Sequence, residues 1–167
     1  PEGKSIMPVL PAISNALPPT KTVYIVDIPK AAQTEFRIGY ANEMTYSPTG
    51  EYYRCMLANY SLGGAFNSRL NLNLRENRGW TYGARSGFSA SAYNGAFTFS
   101  AGIKAAATDS ALREIMLDME LYSQGGVTME ELSFMKNSLG QSEARKYETG
   151  FQKAGFIGNI LRYNLKP

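Results

Sequence analysis

Apolar residues recur along this chain with two different periods, and the switches between them mark its elements. Thr22 to Ile28 is a β-branched run closed by Pro29, while Phe36, Ile38 and Tyr40 alternate with Glu35, Arg37 and Gly39. The spacing predicts two strands, the second with one wet face. Ser47-Pro48 has the order of an N-cap followed by proline at the first helical position, and Tyr53, Met56, Leu57 and Tyr60 continue at helical spacing towards Gly63-Gly64. The helical period resumes from Phe66 through Leu70, Leu72 and Leu74 until Gly79.

Beyond Gly79 the period returns to two. Tyr82 to Tyr93 and Ala96 to Ile103 flank Asn94-Gly95, a dipeptide that readily takes positive φ at both turn positions. This predicts an antiparallel hairpin with Phe97, Phe99, Ala101 and Ile103 on its buried face. Thr108 then reads as the cap of a helix carrying Leu112, Ile115, Met116, Met119 and Tyr122, closed by Gly125-Gly126. Thr128 and Glu131 have capping-box spacing ahead of Leu132, Met135 and Leu139, and Phe151, Ala154, Ile157 and Leu161 mark a last helix. Tight turns rather than long crossovers join the strands. The expected class is therefore α+β, a mostly antiparallel sheet with helices packed on one face.

Five of the eight prolines fall in residues 1–20, which read as an extended linker from a preceding domain, leaving 21–167 as one globular unit. The net charge of +3 is scattered rather than collected into a basic stripe, so nucleic acid is not an expected partner. No stretch approaches the roughly 20 apolar residues of a membrane span. A single cysteine, Cys55, excludes an internal disulfide and reads as a small buried side chain. Nothing fixes the compartment, and bacterial periplasm and cytoplasm are both compatible.

The strongest chemical statement is an absence. The chain has no histidine, which removes most zinc sites and the usual serine and cysteine catalytic arrangements. The carboxylate pairs Glu130-Glu131 and Asp118-Glu120 sit on regularly patterned helices and read as solvated faces. The densest stretch runs from Leu62-Gly63-Gly64 through Phe66, Ser68-Arg69-Leu70 and Leu74-Arg75-Glu76 to Gly79 and Tyr82. Its spacing places Arg75 in the last turns of a helix and Tyr82 at the start of the following strand, with both polar tips at one end of the sheet. An always-charged fork of donors beside a neutral hydroxyl suits a peptide carbonyl or a developing oxyanion. The plainer reading pairs Arg75 with a neighbouring carboxylate and packs the Tyr82 ring.

Taken together, these motifs resemble the insulinase/pitrilysin family of zinc peptidases, and specifically the half that lacks the metal. The resemblance covers roughly residues 22–163 and includes Gln33 before the second strand and Gly126-Val127-Thr128 leading into Glu130-Glu131-Leu132. It implies a processing-peptidase-like fold, with Arg75 and Tyr82 contacting substrate near the scissile bond, and with Gly63, Gly64, Phe66 and Ser68 beside the substrate chamber. It further implies a partner, either an N-terminal domain or a paired subunit, that binds zinc through His-x-x-Glu-His. This segment would hold no cofactor, and a peptide would be the substrate. The other readings are a catalytically inactive structural or assembly subunit, and a peptide-binding adaptor.

Overall fold

The computed structural model describes residues 20–143 and 145–166, so the expected linker lies almost wholly outside the described residues. Three strands, β1 (Gln33–Asn42), β2 (Thr81–Ala90) and β3 (Gly95–Lys104), form one antiparallel sheet in the order β1-β3-β2. Between β1 and β2 lie α1 (Glu51–Asn59), which widens into a π-helical turn over Tyr60–Gly64, and α2 (Arg69–Asn71), which widens likewise over Leu72–Asn77. Three further helices follow β3: α3 (Thr108–Gly125), α4 (Met129–Glu143) and α5 (Gly150–Arg162). This is the expected α+β arrangement.

Period-two patterning gives the sheet one dry face. Phe97, Phe99, Ala101 and Ile103 alternate inward on β3 and meet Leu70 and Leu74 of the second helical segment and Ala111 and Ile115 of α3. Phe99, Ile103, Leu70, Leu74 and Ile115 are fully buried. Each such side chain contributes about 1.5–3 kcal/mol of transfer free energy, so this layer is what fixes the helices on the sheet. An apolar recess of about 390 Å³ remains between α1, α3 and the sheet; Cys55, half-buried, lines it beside Met119 and Tyr122.

Three local expectations are corrected. Thr22 to Ile28 forms no strand: Val23, Tyr24, Ile25 and Val26 are 74% to 88% exposed. A β-branched run has strand propensity, but a strand needs a neighbour to pair its N–H and C=O groups, and none lies alongside among the described residues. The first helix begins at Glu51 behind Gly50, not at Ser47-Pro48, and no side chain caps it. Asn94-Gly95 is not a two-residue turn. The loop is Ser91 to Asn94, in which the Ser91 Oγ accepts from the N–H groups of Tyr93 and Asn94 and so does the work of a turn dipeptide. Gly95 is the first residue of β3, and a Cβ there would stand 2.7 Å from the carbonyl oxygens of Met44 and Ser89.

Two more expectations fail, since Thr108 opens α3 behind Ala107 without a side-chain cap bond and Cys55 is half-buried rather than buried, and two hold. Gly79 and Gly126 both take positive φ, as helix-ending glycines do. Thr128 and Glu131 form the reciprocal capping box.

Candidate substrate-side site

Both helical segments of the glycine-to-tyrosine stretch lie against β2, and two buried asparagines hold them there. Asn59 donates from Nδ2 to the Ser86 carbonyl (2.8 Å) and accepts from the Ser86 hydroxyl (2.6 Å). Asn71 donates to the Phe66 carbonyl (2.7 Å) and accepts from the Ala84 N–H (2.9 Å). Between them, Gly63 is pressed so close to β2 that a Cβ would stand 2.7 Å from the Ser86 amide nitrogen. Any side chain at 63 would therefore push the helical turn off the strand.

The strand opposite is irregular where it matters. Thr81 pairs with Ile103 and Ala84 with Ala101, so Tyr82 and Gly83 together face the single residue Gly102. This is a β-bulge, the extra residue of which changes which side chains point outward. The Thr81 hydroxyl accepts from the Gly83 N–H (3.1 Å) and donates to the Gly83 carbonyl (2.9 Å), closing the bulge locally. Asn71 satisfies the Ala84 N–H, which would otherwise be buried without a partner.

These supports turn Tyr82 into solvent. It is 90% exposed, and its hydroxyl has no partner among the described residues. Phe66, 59% exposed, forms the other wall of a small cleft at the β2 edge, of about 50 Å³, with Ala65, Gly83 and Arg85. Arg75 lies in the π-helical turn Leu72–Asn77, its guanidinium 4.5 Å from the Phe66 ring centroid, and its Nη1 donates to Glu76 (2.7 Å). Arg75 and Tyr82 thus flank one aromatic ring without touching each other. The neighbouring-carboxylate pairing expected of a structural arginine is present, whereas Tyr82 does not pack its ring into the protein.

The remaining expected site residues divide. Gly64 is exposed beside the cleft-bearing turn, while Gly63 is buried against Ser86. Ser68 is fully buried, and its hydroxyl has no hydrogen-bond partner. Arg69 of the same motif faces away from the cleft. It makes two hydrogen bonds to Glu131 (2.6 and 2.8 Å) and one to the Gly126 carbonyl (2.9 Å), and stacks on Tyr122. The Arg69 guanidinium holds the Glu131 carboxyl below its ordinary range, and burial, helped by the nearby Glu114 carboxylate, pushes the Asp118 carboxyl up.

Zinc does not fit this chain. With no histidine and one cysteine, and with no cluster of three acidic or thiol side chains among the described residues, there is no ligand set to hold it.

Asn71, Thr81 and Arg85 were not legible as site residues. Gly83 inside an otherwise strand-like run was the available signal, since an interior glycine commonly marks a bulge. Asn71, three positions before Leu74 on a buried helix face, was the other.

A helix-covered antiparallel sheet defines the class, an α+β fold. The family follows from comparison. The Peptidase M16 inactive domain matches residues 8–139, and the chain belongs to that family. Among solved structures, a peptidase M16 inactive domain from Pseudomonas fluorescens aligns at 28% identity with a TM-score of 0.73, over 81% of this chain and 32% of that one. A protease from Helicobacter pylori (20% identity, TM-score 0.70, 83% and 33%) and the periplasmic protease PqqL from Escherichia coli (15%, 0.63, 81% and 15%) share the fold. The chain spans a third or less of the length of these structures. No curated protein matches it. No helix among the described residues is long and apolar enough to cross a membrane.

Proposed function

We propose that this chain is the substrate-side, non-metal half of a zinc metalloendopeptidase, in which Arg75 and Tyr82 act on a peptide bound by a partner domain or paired subunit. That partner would hold zinc and supply the activated water. This half supplies hydrogen-bond donors. The single observation that carries the reading is the exposed Tyr82 hydroxyl, which is raised on a bulge that buried side chains hold in place although it has no structural partner among the described residues.

A neutral donor set on a rigid support is what a developing oxyanion requires, because the support need not reorganise as the charge forms. Arg75, half-buried and stacked on Phe66, is positioned to hold a peptide carbonyl or carboxylate through its remaining N–H groups. The surrounding surface is open enough for an extended peptide. The test is peptide hydrolysis by the zinc-bearing half, measured with and without this half. Turnover that needs both supports the reading, and equal turnover by the zinc half alone rejects it in favour of an assembly or adaptor role.

A further inference from the structure

Past the bulge, Arg85 stands on the same outward side as Tyr82. In an unbroken ladder starting from buried Thr81, Gly83 and Arg85 would share its inward face. The inserted residue instead leaves Thr81, Ala84 and Ser86 buried, and Tyr82 and Arg85 exposed. Arg85 then stands in register with Ser100 of β3, and Ser100 with Arg37 of β1, so one row of the open sheet face reads cation, hydroxyl, cation.

The two cations are not equivalent. Arg37 is taken up by Glu35 (3.1 Å) and by the Phe36 carbonyl (2.8 Å). Arg85 has neither a carboxylate nor a carbonyl partner among the described residues. It lines the same edge cleft as Tyr82 and Phe66. That cleft of about 50 Å³ has room for only a few waters, which suits a carboxylate and its methylene rather than a large side chain. The Phe66 ring offers the methylene an apolar wall.

We propose that this cleft takes a carboxylate of the bound peptide, with Arg85 as its partner, so that the protein prefers an acidic side chain close to the bond that Tyr82 addresses. Guanidinium and carboxylate match as planar, two-point partners, and no other cation in the cleft competes for the role. The proposal rests on the peptide reading of the site. It adds the substrate's chemical class.

The experiment uses the assembled peptidase with its zinc chelated, so that affinity is read without cleavage. Fluorescently labelled peptides differing by a single Asp-to-Asn change are titrated by anisotropy, each with a free and an amidated C-terminus. The wild type is expected to bind the Asp peptide about tenfold more tightly, as for one charge-assisted hydrogen bond at a partly wet site. With Arg85→Gln the ratio falls to about one, and with Arg85→Glu it inverts. Discrimination that follows the C-terminal carboxylate and is lost in Arg85→Gln supports the same chemistry from the chain end. Equal binding of Asp and Asn peptides by the wild type, or a preference surviving Arg85→Gln, overturns the proposal while leaving the peptide reading intact. No binding of any peptide overturns both.

Discussion

Replacing Asn71 by Ala separates the bulge from its support. The side chain is 3% exposed and serves two backbone groups of different character. Ala84 is fully buried, so its N–H, once deprived of Asn71 Oδ1, has no water to turn to, and an orphaned donor of that kind costs about 1–3 kcal/mol. The Phe66 carbonyl lies in an exposed turn and rehydrates, so its loss costs about 0.5–1.5 kcal/mol. Together the change weakens the start of β2 by about 1.5–4.5 kcal/mol, or about 10- to 1,600-fold in the local opening equilibrium at 1.4 kcal/mol per decade. Hydrogen exchange over residues 80–90 in the intact protein reads this directly, as faster exchange of the Ala84 amide by that factor. Asn59→Ala is the internal control. Asn59 serves the Ser86 carbonyl and hydroxyl but no N–H of β2, so it should raise exchange near Ala84 far less. Unchanged protection in Asn71→Ala would refute the claim that this side chain holds the bulge.

Glu131→Gln should weaken the junction between the second helical segment and the α3–α4 turn by about 1–2 kcal/mol, because both partners are less than a third exposed and share two charge-assisted bonds. The Glu131 pKa is lowered on folding, chiefly by its hydrogen bond from Arg69, so its contribution is complete above the unfolded-state value of roughly 4.3 and is lost as pH falls through the folded value. Urea midpoints from neutral pH downwards should therefore converge for wild type and Glu131→Gln in acid, and parallel curves would contradict the assignment. Asp118, shifted upward chiefly by burial, adds stability on protonation in both proteins. Ser68→Ala should be neutral or stabilising by up to about 1 kcal/mol in the same assay, since its buried hydroxyl caps nothing and has no partner. A marked rise in the KM for peptide in Ser68→Ala would instead show that Ser68 reaches substrate.

The sheet and its dry face were legible because alternation on β3 and the glycine stops at 79 and 126 are local signals that the fold obeys. The unformed strand at Thr22 to Ile28 was misread for the converse reason, since pairing depends on a neighbour and not on the run itself. Arg75 and Tyr82 were singled out by their spacing and by the family resemblance, and their geometric relation was not legible: a ring between them, Phe66, replaces the direct meeting that the spacing suggested. The π-helical turns and the bulge each insert one residue into a regular pattern. A single insertion shifts which side chains share a face, so Tyr82 and Ala84, on one face by period, stand on opposite faces in the structure. Asn71 escaped notice because nothing in its local pattern shows a backbone N–H thirteen residues away.

The central claim is that this half contributes to chemistry through a hydroxyl and not through a metal. The most direct test is kcat for peptide hydrolysis by the assembled peptidase carrying Tyr82→Phe, with zinc content and unfolding midpoint measured on the same sample. The substitution removes one oxygen from a 90% exposed side chain, so both controls should match wild type. The account expects kcat to fall about 10²- to 10³-fold with little change in KM, the usual cost of losing one preorganised oxyanion donor. A kcat equal to that of the wild type would contradict it.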